Sequence, residues 1–124
     1  MLKAIKWLFT LCITTLPLIS LADGNGFLEK CQDAEHFLNT KQIRNPHSIG
    51  FCIGMVQGVR NTMQYLDGVL ETNSRVVCWP EKGIVNGQAV RIVMAYLRNN
   101  PDKLHEDEVI LTMLAFKSAY PCDE

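Results

Sequence analysis

The sequence predicts an all-α protein, a small four- to five-helix bundle of antiparallel helices held by two disulfides. Three observations carry that reading. Apolar residues recur at spacings of three and four through four separate segments, a period no strand can use. Polar stretches holding Pro46, Pro80 and Pro101 separate those segments. Cys31, Cys52, Cys78 and Cys122 form an even set in a short chain, as in a disulfide framework.

The first element is not part of the bundle. Lys3 and Lys6 open the chain with positive charge, Trp7 to Leu21 is uncharged and mostly apolar, and Ser20-Leu21-Ala22 places small residues where a signal peptidase inspects. Residues 1–22 therefore read as a signal peptide cleaved before Asp23, with 23–124 as a single helical domain. A membrane anchor fits less well, because the run is about fifteen residues against the roughly twenty that span a bilayer, and Pro17 interrupts it. Cys12 follows Leu11 rather than a small residue, which argues against a lipid anchor. The expected location is the periplasm. Loss of Lys3 and Lys6 turns 12 basic and 13 acidic residues into ten and 13, a net charge of −3 that suits neither nucleic acid nor an anionic membrane.

Phe27, Cys31, Ala34 and Leu38 form the stripe of a first helix, from about Phe27 to Leu38. Asn39 to His47 is a polar loop. A second and longest helix runs from about Ile49 to Glu71, with Ser48 as its N-cap and Ile49, Cys52, Val56, Val59, Met63, Leu66 and Leu70 as its stripe. On the far side of this helix Gly50, Gly54 and Gly58 recur every fourth residue, beside Phe51 and Tyr65. Each glycine costs a helix up to roughly 1 kcal/mol relative to alanine, so close approach of another backbone is the reason to expect such a row. Packing against a helix of the same chain is the plainer account; a homodimer seam is the sharper one. Gln57, Arg60, Asn61, Gln64 and Asp67 in the same segment exclude a membrane helix pair.

Thr72 to Ile84 is a long connection containing Cys78, Trp79-Pro80 and Gly83. A third helix is expected from about Gly87 to Arg98, capped by Asn86, with Val85 and Val90 as a hydrophobic staple and Val90, Val93 and Leu97 inward. Asn99-Asn100-Pro101 ends it. A fourth runs from about His105 to Ala119, with Val109, Met113 and Phe116 inward.

Four cysteines allow three pairings, and the helix layout chooses among them. Antiparallel hairpins bring Cys31 level with Cys52, and put Cys78, before the third helix, at the same end as Cys122, after the fourth. The bridges expected are Cys31–Cys52 and Cys78–Cys122. No cysteine pair has the close spacing of a zinc site.

No constellation for catalysis emerges. With the cysteines paired no thiolate remains, no Gly-x-Ser-x-Gly elbow is present, and His105-Glu106-Asp107-Glu108 lacks the second histidine of a His-Glu-x-x-His motif. Acidic residues at a helix start are expected from the helix dipole alone. There is no phosphate-cradling loop and no basic-aromatic stripe. The sequence points to a binding protein rather than an enzyme, with no cofactor and no metal.

An ordered set of residues adds a resemblance. Gly26-Phe27-Leu28 with Cys31 and Ala34, then Cys52-Ile53-Gly54-Met55-Val56-Gln57-Gly58-Val59, Cys78-Trp79-Pro80, Gln88-Ala89-Val90-Arg91-Ile92-Val93, Tyr96-Leu97, Asn100-Pro101, Leu104-His105 and Ala119-Tyr120-Pro121-Cys122 together resemble the Rap/Tai family of type VI secretion amidase immunity proteins. Met55 and Asn61 depart from the aromatic residue and aspartate common there. The resemblance implies an all-helical, disulfide-bonded protein, often a homodimer, that occludes an injected peptidoglycan amidase without turnover. The occluding surface is expected among Arg75 and Trp79 of the connection and Glu106, Asp107 and Glu108 at the fourth helix start. Each also has a plainer account, Trp79 packing over the neighbouring disulfide and the acids serving the helix dipole. The rival reading is a general periplasmic acid-stress chaperone of the Hde type; an orphan family member without a toxin partner is a third.

Overall fold

The computed structural model describes residues 23–71 and 74–122; the signal-peptide reading of residues 1–22 falls outside them. Four α-helices, α1 (Gly24–Thr40), α2 (Pro46–Val69), α3 (Asn86–Asn99) and α4 (Glu108–Ala119), form the bundle among the described residues, with a 3₁₀ turn at Pro101–Lys103. Among the described residues there is no strand. Both expected disulfides are present, Cys31–Cys52 with a Cα–Cα distance of 5.1 Å and Cys78–Cys122 with 5.0 Å.

Helix α3 is the most enclosed: Ala89, Val90, Val93, Met94 and Leu97 are all buried. Around it Phe27, Cys31 and Ala34 of α1, Cys52, Val56 and Met63 of α2, and Leu111, Ala115 and Phe116 of α4 complete one core, with Val77 contributed by the long connection. Arg91 bonds Asn39 and Arg98 forms an ion pair with Glu35, so α3 runs beside α1 in the opposite direction.

Local chemistry sets the helix ends, and here several expectations change. Helix α2 is capped by Asn45 rather than Ser48: the Asn45 side chain accepts the N–H groups of His47 and Ser48 at 3.1 and 3.2 Å. Pro46, which reads as loop in the sequence, stands at the first turn, where its missing N–H costs nothing. Ser48 is instead buried. Helix α3 has no side-chain cap, since Asn86 bonds Gln57 of α2, and Val85 is 72% exposed, so no staple to Val90 forms. Helix α4 begins at Glu108, three residues later than expected, because Asp107 accepts the Val109 N–H at 2.8 Å and caps it there.

Two stripes are rotated from their expected positions. On α4 the buried line is Leu111, Thr112, Ala115 and Phe116, while Val109 is exposed and Met113 half-buried. On α2 Leu66 and Leu70 are exposed, and the inward line beyond Val56 passes through Arg60, Met63 and Asp67. The Arg60 guanidinium donates to the Ile84 carbonyl at 3.0 Å and to the Asn61 side chain, which satisfies much of its hydrogen-bonding need inside the fold.

Candidate partner-binding surface

Asp67 organises the long connection. Its carboxylate, on a residue only 5% exposed, accepts the Val76 N–H at 3.0 Å and the Trp79 indole N–H at 3.1 Å, and its backbone carbonyl accepts Arg75 Nε–H at 3.1 Å. Charge-assisted bonds of this kind are the strong ones in a desolvated setting. The Trp79 ring lies on Phe116 at 5.1 Å and on Tyr120 at 6.0 Å between centroids, so aromatic neighbours pack against it. Cys78 N–H donates to the Tyr120 carbonyl. The outcome is a rigid strap carrying an exposed Arg75 beside a half-buried Trp79. They edge a cleft of about 320 Å³ with Gln64, Gly68 and Glu81.

The acidic segment lies elsewhere. Trp79 packs at the C-terminal end of α4, whereas Glu106 to Glu108 precede and open its N-terminal end, about 18 Å away at 1.5 Å per residue over 12 residues. The five expected partner-binding residues therefore form two patches. In the second patch Asp107 is engaged as the cap, Glu106 is exposed beside His105 at 3.4 Å, and Glu108 turns one carboxylate oxygen into the protein.

The glycine row corrects one expectation and leaves another standing. A Cβ added at Gly50, Gly54 or Gly58 would meet nothing within 4 Å, so no helix of the same chain packs on them. Gly54 and Gly58 line an open apolar groove of about 350 Å³ with Met55, Val59, Leu66, Val109 and Met113. Tyr65 is 71% exposed nearby, whereas Phe51 lies beneath Lys30 of α1, whose ammonium sits 5.0 Å from its ring centroid.

Asp67 and Arg60 were missed as key residues. Both fall on the same three- and four-residue spacing as Val56 and Met63, and a charged residue in phase with an apolar stripe is the available signal. Among the described residues no three side chains group as metal ligands, and no helix is long and apolar enough to cross a membrane. No curated protein and no solved structure matches the chain. A family model described as Rap1a immunity proteins matches residues 23–122, which takes in all four helices, the strap and both disulfides. The chain belongs to the Rap1a immunity protein family.

Proposed function

We propose that the protein is a periplasmic immunity protein that binds a type VI secretion peptidoglycan amidase and occludes its cleft, without turnover. The observation that carries this is the family match over residues 23–122, which runs from Asp23 through the last cysteine. Two disulfides accord with an oxidising compartment. The strap is the surface assigned to the effector. Arg75 and Trp79 are of residue types enriched at interface hot spots, and their side chains are already held by Asp67, which lowers the entropic cost of docking. The acidic patch at α4 is the weaker candidate, because the fold already uses Asp107 and part of Glu108.

The groove of Gly54 and Gly58 is assigned to a second copy of the chain. A twofold seam is self-complementary, and the missing side chains on α2 let two such helices approach closely. Light scattering at tens of micromolar is expected to report a dimer, since a dissociation constant of about 1 μM corresponds to roughly −8 kcal/mol.

The decisive experiment is periplasmic co-expression with a type VI secretion peptidoglycan amidase, taken from beside this gene where one is encoded there. Protection from lysis is expected, with a stoichiometric complex on gel filtration that Arg75→Glu or Trp79→Ala weakens. Lysis with and without the protein, and no complex, would overturn the immunity reading and favour the chaperone.

A further inference from the structure

Glu108 presents a problem that the immunity reading does not solve. It is the first residue of α4, and its Oε2 is buried without a hydrogen-bond partner. The ion pairs among the described residues are Arg98–Glu35 and His105–Glu106, so no cation side chain neutralises Glu108. Lys30, which lines the same cavity, has its ammonium over the Phe51 ring. An uncompensated buried carboxylate oxygen is costly, and proteins pair or hydrogen-bond such groups.

The cavity beside Glu108, about 260 Å³, is lined by Asp23, Phe27, Lys30 and Phe51. Asp23 is the residue that cleavage after Ala22 would make N-terminal. Its backbone is held in place closely. Gly24 N–H donates to the Glu106 carbonyl at 3.2 Å, the Asn25 amide donates to the Leu104 carbonyl at 3.2 Å, and a Cβ on Gly24 would stand 2.5 Å from Leu111 Cδ1 and 2.7 Å from the Leu104 carbonyl oxygen. Such contact leaves the start of α1 no freedom to swing away from the start of α4.

We propose that the α-ammonium created at Asp23 by signal-peptide cleavage is the missing partner of Glu108, an intramolecular ion pair that exists only in the processed chain. The inference rests on the cleavage site and is independent of the toxin. The charge balance supports it. Two helix N-termini converge here, and the positive end of each dipole disfavours an ammonium unless acids offset it. The charged groups lining the cavity are Asp23 and Lys30 from the start of α1 and Glu108 from α4, with His105, Glu106 and Asp107 in the chain leading up to Glu108. The Asp23 carboxylate accepts the Asn25 backbone and side-chain N–H groups, both at Oδ1, which hold its pKa below the ordinary value and leave Oδ2 turned to solvent-exposed surface rather than buried without a partner. Asp107 is committed to Val109. Glu106 is exposed beside His105, and Glu108 is the acid whose buried oxygen lacks a partner for the ammonium to supply.

The test is a double-mutant cycle between processing and charge. One protein is exported and begins at Asp23, verified by intact mass; the other carries two extra residues before Asp23 and is made in an oxidising cytoplasm. In the processed protein Glu108→Gln is expected to lower Tm by several degrees, where about 1 kcal/mol corresponds to roughly 4–8 °C for a domain of this size. In the extended protein the same change is expected to move Tm by less than half as much, because any effect on the α4 dipole is common to both and cancels. By NMR the α-amino group is expected to titrate above its ordinary range of about 7.7–8.0 in the processed protein and to return to it in Glu108→Gln. Equal Tm shifts in both backgrounds, or an α-amino group titrating normally, would overturn the pairing. A mass showing a different N-terminus would overturn it through the cleavage site instead, and the two failures read out separately.

Discussion

Asp67 shows how much one side chain can decide. It stands buried near the end of the longest helix, on the line of Val56 and Met63, and bonds Val76 and Trp79 where an apolar side chain would only make contact. Replacing it with alanine leaves a backbone N–H and an indole N–H without their partner, so Asp67→Ala is expected to cost about 2–4 kcal/mol in chemical denaturation. Trp79 fluorescence is expected to shift to the red as the ring loses its anchor, with Asp67→Asn intermediate in both measurements. An unchanged spectrum in a destabilised protein would show that Phe116 and Tyr120 alone hold the ring. In the sequence Asp67 reads as one more polar residue of an amphipathic helix, since spacing locates a buried position but does not say which N–H groups will converge on it. Trp79 was legible as a candidate contact, and its partners across more than thirty residues of chain were not.

At the scale of elements, the helices were legible because apolar spacing over three or more turns is a strong signal, and their ends were less so because capping depends on one side chain. Asn45 and Asp107 outcompete Ser48 and His105 as start points through hydrogen bonds that are purely local. The phase of α4 was misread for a different reason: Val109, Ile110, Leu111, Met113 and Leu114 make it apolar almost all round, so periodicity cannot choose a face. The glycines allow a sharp contrast. Gly24→Ala forces a Cβ against Leu111 and the Leu104 backbone and is expected to destabilise by about 1–3 kcal/mol. Gly54→Ala, in open space on a helix, is expected to stabilise the monomer by about 0.5–1 kcal/mol. Thermal unfolding at low protein concentration measures both. If Gly54→Ala stabilises the monomer yet weakens self-association, the glycine is retained for the seam; if it strengthens both, the seam lies elsewhere.

For the whole molecule, the disulfides tie together what the short helices could not hold alone. Their rings span sequence separations of 21 and 44, for which loop-closure entropy gives about 3.4 and about 4.0 kcal/mol, against a usual domain stability of roughly 5–15 kcal/mol. The pairing was legible because hairpin topology makes it follow from cysteine position. The placement of the two acidic and aromatic patches at opposite ends of α4 was not, because it depends on how the strap folds back. The pairing also has a consequence for how the molecule is made. Cys31 joins Cys52 and Cys78 joins Cys122, so among these four the first thiol is bonded to the second and the third to the fourth, and the rings neither overlap nor nest. A polypeptide threaded N-terminal end first into an oxidant presents these thiols in that order. If residues 1–22 are cleaved as proposed, Cys12 leaves with them, and joining each thiol pair as it emerges yields the native bridges with nothing to reshuffle. Correctly bridged protein is therefore expected in undiminished yield from a host that has a thiol oxidase and lacks a disulfide isomerase, read by non-reducing peptide mapping. A yield that collapses without the isomerase would mean that the first bonds formed are the wrong ones, and that Cys31 waits for the rest of the chain.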